Sequence, residues 1–132
     1  MATQIPDAFK DILNKRGYAH LATLMQDGSP QVTPVWYDFD GTDIRINTAK
    51  GRLKDKNMRR AKKVALSIQD PDNPYRYLAI RGDIVEITEN GADAHIDALA
   101  KKYLDKDRYP LRAPGEVRVI YKIRPDKVST MG

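Results

Sequence analysis

Apolar positions along the chain switch between two periods. Residues 7–15 follow Pro6-Asp7 and carry Phe9, Ile12 and Leu13 at helical spacing, which predicts a short N-terminal helix. After Gly17 the pattern changes: "YAHLATLM" (18–25), the turn "QDGS" and "PQVTPVWYDF" (30–39) predict a hairpin. A second turn, "DGTD" (40–43), leads into "IRINT" (44–48), so three antiparallel strands are expected in succession. Pro34 cannot donate to a ladder, which places its strand at an edge or opens it locally.

The alternation stops at Gly51. Over 53–61, Leu53, Met58 and Ala61 lie near one side of a predicted helix whose other sides are basic. "KVALSI" (63–68) resumes as a strand, "DPDNP" (70–74) reads as a loop, and 75–88 is long enough for one strand bent at Gly82. Between 91 and 104, Ile96, Leu99, Ala100 and Tyr103 recur three and four apart, the mark of an amphipathic helix. A polar, proline-rich loop (105–116) precedes "VRVIYKIRP" (117–125), where Val117, Val119, Tyr121 and Ile123 are expected inside and Arg118, Ile120, Lys122 and Arg124 outside.

About six antiparallel strands with short inserted helices predict a mainly β fold, a small barrel with helices packed against it; a two-sheet sandwich is the competing architecture. With 132 residues the chain is expected to form a single domain, 1–132. A barrel this small leaves Trp36, Tyr75, Tyr77 and Leu78 to be covered, so a dimer is expected.

Charge sharpens this picture at one place. The net charge is +5, yet residues 47–63 hold eight of the 23 lysines and arginines and only one of the 18 acids, leaving fifteen positives against seventeen negatives elsewhere. The basicity is local, which suits a phosphate pocket at least as well as a nucleic acid. There is no cysteine, hence no disulfide or thiolate metal site, and the N-terminus lacks the apolar core of a signal peptide. A cytoplasmic protein without a membrane segment is the expectation.

Only His20 and His95 exist, so metal sites built on several histidines are excluded and no metal is expected. Both histidines are read as structural or exposed. The carboxylate pairs Asp38/Asp40, Asp70/Asp72 and Asp105/Asp107 stand beside turn residues and read as turn formers. No catalytic acid or base stands out; solvent, or a tyrosine such as Tyr37 or Tyr77, is the expected proton donor.

Two segments carry candidate binding chemistry. Around Gly51 a strand end, a glycine and a helix start bring the Thr48 hydroxyl, the Arg52 guanidinium, Lys54 and helix-terminal amides toward one phosphate. A solvated basic helix face is the competing reading. In "TPVWY" (33–37), Pro34 leaves main-chain groups open beside Trp36 and Tyr37, so that a planar ring could lie on this strand; an edge strand guarded by proline is the equal alternative. Nucleic-acid binding is disfavoured, because no aromatics interleave with the charges.

In their order, "GSPQVTPVWYDFDGTDIRINTAKGRLKDKNMRRAKKVALSI" (28–68) and "DPDNPYRYLAIRGDIVEIT" resemble the pyridoxamine-phosphate-oxidase-like split β-barrel family, in particular its deazaflavin (coenzyme F420)-dependent branch. The resemblance implies a homodimer of split barrels with F420, or alternatively FMN, at the subunit interface. It implies that Thr48, Arg52, Lys54 and Asn57 hold the cofactor phosphate, with Lys50 and Gly51 as loop contacts. Thr33, Pro34, Val35 and Trp36 would lie beside the ring, and Tyr75 and Tyr77 would approach from the partner. Pyridoxamine-phosphate oxidases carry an arginine and a lysine where this chain has Thr33 and Asp38, and an Arg-Lys pair where this chain has Leu53-Lys54, with Arg52 one place earlier. The departures point away from pyridoxal-phosphate synthesis and toward an F420-dependent reductase of a small conjugated substrate, with an FMN reductase or a non-catalytic cofactor carrier as alternatives.

Overall fold

A computed structural model describes residues 4–132. Seven strands form one antiparallel sheet in the order β2-β1-β5-β6-β7-β4-β3. They are β1 (Ala19–Leu24), β2 (Pro30–Val35), β3 (Tyr37–Phe39), β4 (Ile44–Ala49), β5 (Lys63–Asp70), β6 (Asn73–Thr88) and β7 (Arg118–Met131). Helix α1 spans Leu53–Arg60 and α2 spans Ala92–Leu104. The N-terminal helix, Asp7–Asn14, is 3₁₀ rather than α. Among the described residues no helix is long and apolar enough to cross a membrane.

The expected strand 30–39 is two strands. β2 pairs with β1 and β3 pairs with β4, so they occupy the two edges of the sheet and Trp36 alone joins them. The sheet therefore curls until its edges meet at one residue, which is the split barrel expected from the sequence. Pro34 is accommodated because β2 has a neighbour on one side only. The expected run of three consecutive paired strands fails for the same reason: β2 and β4 are not neighbours, and β4 instead pairs with β7, Asn47 opposite Ile120.

Period-2 alternation sends Leu21, Ile44, Ile46, Leu66, Ile68, Leu78, Ile80, Val119, Tyr121 and Ile123 inward, all almost without exposure. Ile12 and Leu13 of the 3₁₀ helix and Met58 of α1 join the same core. Leu78 is fully buried within the single chain and needs no partner to cover it; Tyr75 is 81% exposed. β6 changes register against β7 at Arg81/Gly82, where a Cβ on Gly82 would lie 2.7 Å from the Arg124 carbonyl oxygen. Only glycine permits that approach, and the strand bends there as expected.

The expected 70–74 loop shrinks to a tight turn at Pro71 and Asp72. The last strand departs from simple alternation. Val117 is 42% exposed, whereas Arg118 and Ile120 are buried. The cause is α2, which packs against β7 and β4 on the face that would otherwise meet solvent.

Candidate functional site

The two segments singled out in the sequence face one another across a cleft of about 200 Å³. One wall is basic, with Arg52 and Lys54 from the start of α1 and Arg118 from the start of β7. The other wall is Pro34, Val35 and Trp36, continued by Tyr18, Tyr109 and Leu111; Thr48 and Asn47 of β4 complete the lining.

The loop before α1 is shaped by Gly51, which takes a positive φ of 94°, and by Asp55. The Asp55 carboxylate accepts from the Gly51 N–H at 2.9 Å, from Arg59 Nε at 2.9 Å and from the Tyr121 hydroxyl. Burial pushes this carboxyl up, but those three donors outweigh it and hold it below the ordinary range. Asp55 thus fixes the loop and also takes up the Gly51 amide, which is not left for an anion. The Lys50 and Arg52 amides bond to Val117 O and Ala49 O. The first bond from within α1 back to its cap is Lys56 N–H to Arg52 O, so the helix-start donors are the amides of Leu53, Lys54 and Asp55.

Lys54 and Arg52 form no salt bridge among the described residues. Burial, then repulsion from Arg52 and Arg118, pulls the Lys54 ammonium below its usual pKa. An anion in the cleft would relieve both effects. Thr48 is 1% exposed and its Oγ1 is buried without a hydrogen-bond partner among the described residues. A buried orphan hydroxyl costs about 1–3 kcal/mol, and a ligand oxygen would remove that cost. Three cations served by the single carboxylate of Glu116, beside a hydroxyl without a hydrogen-bond partner among the described residues, fit a phosphate-bearing group.

The alternation over 117–125 puts Arg118 on the outer side of its strand. It is buried, donates from Nε to Asn47 Oδ1 at 2.8 Å, pairs with Glu116, and lies 5.2 Å from the Tyr109 ring. Trp36 stacks on Tyr103 at 5.2 Å with 4° between the planes, and Tyr103 stacks on Tyr18 at 5.7 Å. The end of α2 clamps this junction: the Tyr103 hydroxyl donates to Gly17 O at 2.7 Å, and Lys102 Nζ donates to Tyr37 O at 2.8 Å. Burial draws Lys102 down to about 8, against the opposing pull of Asp38.

Of the twelve residues proposed for the cofactor, the chain brings six into the cleft: Pro34, Val35, Trp36, Thr48, Arg52 and Lys54. Thr33 lies on β2 outside the lining, Lys50 pairs with Glu89 at 3.1 Å, and Gly51 supplies the turn. Asn57 is buried on the inner side of α1, donating to Thr23 Oγ1 at 3.1 Å and accepting from Arg60 at 3.0 Å. Helical periodicity turns it toward the core with its neighbour Met58. Tyr75 and Tyr77 stand on β6 and do not line the cleft of their own chain.

Tyr37 does not serve as a proton donor in this arrangement. Its ring is fully buried and its hydroxyl donates to Ile12 O at 3.1 Å, while burial pushes the phenol well above its usual pKa. Cleft residues that the sequence did not flag are Tyr18, Asn47, Ile96, Tyr109, Leu111 and Arg118. The one available signal was the pairing of Tyr109 with Pro110 in an otherwise polar loop.

The remaining titratable candidates have structural partners. His20 is exposed, with Nδ1 3.4 Å from Ser67 O. His95 is buried against Asp38 and Asn47. Burial raises Asp38, but hydrogen bonds from His95 and Arg45 bring it below the ordinary carboxylate range. Asp40 accepts from the Thr42 and Asp43 amides as a turn former, and Asp70 pairs with Lys15 and Arg76. No cluster able to hold a metal ion occurs among the described residues.

A family profile described as pyridoxamine 5'-phosphate oxidase matches residues 5–132. Among solved structures, a protein titled F420 reductase is 35% identical, with a TM-score of 0.83 over 95% of this chain and 98% of that one. A conserved hypothetical protein of Mycobacterium tuberculosis, 23% identical, superposes with a TM-score of 0.77 over 98% of this chain and 86% of that one. HupZ of Group A Streptococcus, 20% identical, gives 0.66 over 96% and 94%. The last two share the fold.

Proposed function

The chain belongs to the pyridoxamine 5'-phosphate oxidase family, and we propose that it is an F420-dependent oxidoreductase acting on a small conjugated substrate. The observation that carries this reading is the cleft itself, in which Arg52 and Lys54 form no salt bridge among the described residues and Thr48 holds an orphan hydroxyl opposite the Trp36 wall. Similarity to the protein titled F420 reductase across nearly the whole of both chains supports the choice of cofactor.

When bound, the deazaflavin supplies the carbon that gives or takes hydride. The chain's own residues bind and orient. Arg52 and Lys54 neutralise the phosphate, Thr48 donates to it, and Arg118 adds a third cation held by Asn47 and Glu116. Trp36, fixed by its stack on Tyr103, bounds the ring and excludes water from one side.

The second copy belongs to this proposal. The outer face of β1, β5 and β6 carries grooves lined by Ala22, Ala65 and Ala79, with Val32 60% exposed. Both signs of charge, Lys63 and Arg81 with Asp83, border it, which suits self-association. A homodimer through this face is the arrangement in which Tyr75 and Tyr77 could reach a neighbouring site.

Fluorescence titration with F420 and with FMN tests the assignment. Tight F420 binding, with oxidation of the reduced cofactor by enones or quinones, is the expected result. FMN binding without F420 binding makes the protein an FMN reductase, the reading favoured by the family's general habit. Tight F420 binding without turnover makes it a carrier. Light scattering reports the dimer.

A further inference from the structure

A chain of hydrogen bonds runs beneath α2 and ends in the cleft. Asn47 Nδ2 lies 2.8 Å from Ala92 O and 3.1 Å from His95 Nδ1, and Asn47 Oδ1 lies 2.8 Å from Arg118 Nε. His95 Nε2 lies 3.1 Å from Asp38 Oδ1. Two of these partners have only one role available. The Ala92 carbonyl can only accept and the Arg118 guanidinium can only donate, so the amide orientation is set from both sides. Its NH₂ group faces Ala92 and His95, and its oxygen faces Arg118. His95 Nδ1 must then accept, which places the ring proton on Nε2, where it is donated to Asp38.

This assignment couples two distant events. Protonation of His95 would set an N–H on Nδ1 against the Asn47 NH₂. The conflict is relieved by turning the amide, but the turned amide presents NH₂ to Arg118 Nε and loses that anchor. We infer that His95 is a positioning residue for the cleft: in its neutral Nε2–H form it holds the Asn47 amide, which aims Arg118, so anion affinity in the cleft depends on His95 staying unprotonated. The inference rests on the proposed reading of the cleft as the site of an anionic cofactor.

Charged groups stand around His95 on several strands. Asp38 of β3 accepts from His95 Nε2, and Arg45 of β4 is bonded to the same carboxylate at 2.8 Å and 2.7 Å. Glu86 of β6 and Lys122 of β7 line the same polar hollow and form a 3.8 Å pair. Of the groups that touch the ring, Asp38 meets Nε2 and the Asn47 amide meets Nδ1, where it offers only a donor.

The test reads the chain without reference to turnover. In ¹⁵N-labelled native protein, His95 is expected to show the Nε2–H tautomer at pH 8. On acidification the Arg118 Nε–H resonance is expected to move with the same midpoint as the His95 ring. In Asn47→Ala the His95 ring still titrates and the Arg118 signal no longer follows it. F420 affinity of the native protein is expected to fall about tenfold once His95 is protonated, the scale of one lost hydrogen bond to a charged group. In His95→Gln that acid-side loss disappears. An Nδ1–H tautomer, or an Arg118 resonance that stays still while His95 titrates, overturns the inference, and the native protein alone decides this. Failure of F420 and FMN to bind at pH 8 would instead overturn the cofactor assignment, which the resonances do not touch.

Discussion

Two clusters of basic side chains in this protein are treated in opposite ways. Lys15 reaches Asp70 at 2.9 Å and Asp72 at 3.1 Å, and Arg76 reaches Asp11 at 2.6 Å and Asp70 at 2.9 Å. Every charge there has a counterion, and the cluster ties the 3₁₀ helix to the β5–β6 turn. In the cleft, Arg52 and Lys54 form no salt bridge and the Thr48 hydroxyl has no hydrogen-bond partner among the described residues. The same residue types stabilise in one place and stay available in the other. The difference lies in how many acids the chain supplies: Asp11, Asp70 and Asp72 serve two cations in the first cluster, whereas Glu116, paired with Arg118, stands beside the three cations of the cleft and leaves positive charge over for an external anion.

The largest expected effect separates the two clusters directly. Lys54→Ala should weaken F420 binding by at least about thirtyfold, as expected for removing one side of a desolvated charge pair, with Tm unchanged or slightly raised. Lys15→Ala should do the reverse, lowering Tm with F420 affinity unchanged. Fluorescence titration and thermal unfolding of both variants check the pair.

Next in size is Gly17→Ala. A Cβ there would lie 2.8 Å from Gln69 O and 3.3 Å from Pro71 Cδ, against the turn that carries the paired cluster. Destabilisation of about 1–3 kcal/mol is expected, read from the urea midpoint.

Thr48→Val keeps the shape and removes the orphan hydroxyl. The unliganded protein should gain about 1 kcal/mol, while F420 binding weakens several-fold. Opposite signs in the two measurements are the signature of a group retained for a ligand; a loss of stability would return Thr48 to the core.

The smallest effect is a pH dependence. The hydrogen bond from Lys15, the Asp72 amide and Arg76 hold Asp70 at about 2, against an ordinary value of 3.8. Because the folded value is the lower one, the stabilisation is complete above 3.8 and is lost as pH falls toward 2. Urea unfolding as a function of pH should show this decline in the native protein and a shallower one in Asp70→Asn.

Local signals made much of this molecule legible. The Asp27-Gly28 turn announces the β1–β2 hairpin, and Gly28 takes a φ of 86° there. Gly51 and the charges after it announce a strand-to-helix cup, and Pro34 announces an edge. The remainder depends on contacts between residues far apart in sequence. Trp36 interrupts a strand because the barrel must change from one edge to the other at that point. Arg118 is buried because α2 covers its face, and His95 is committed because Asn47 and Asp38 meet it from other strands. No periodicity in 117–125 or 91–104 encodes those meetings.

The pairing of β4 with β7 joins residues 44–49 to residues 118–123. Bringing together segments some seventy residues apart is a slow, entropically costly step compared with closing the hairpins. Asn47 and Arg118 lie on these two strands, so the cleft comes into being with that long-range closure. The Arg52–Lys54 loop and the Pro34–Trp36 wall lie between residues 34 and 54, so the cleft gains its third cation only when β7 docks on β4, and order of assembly is written into where its charges sit along the chain.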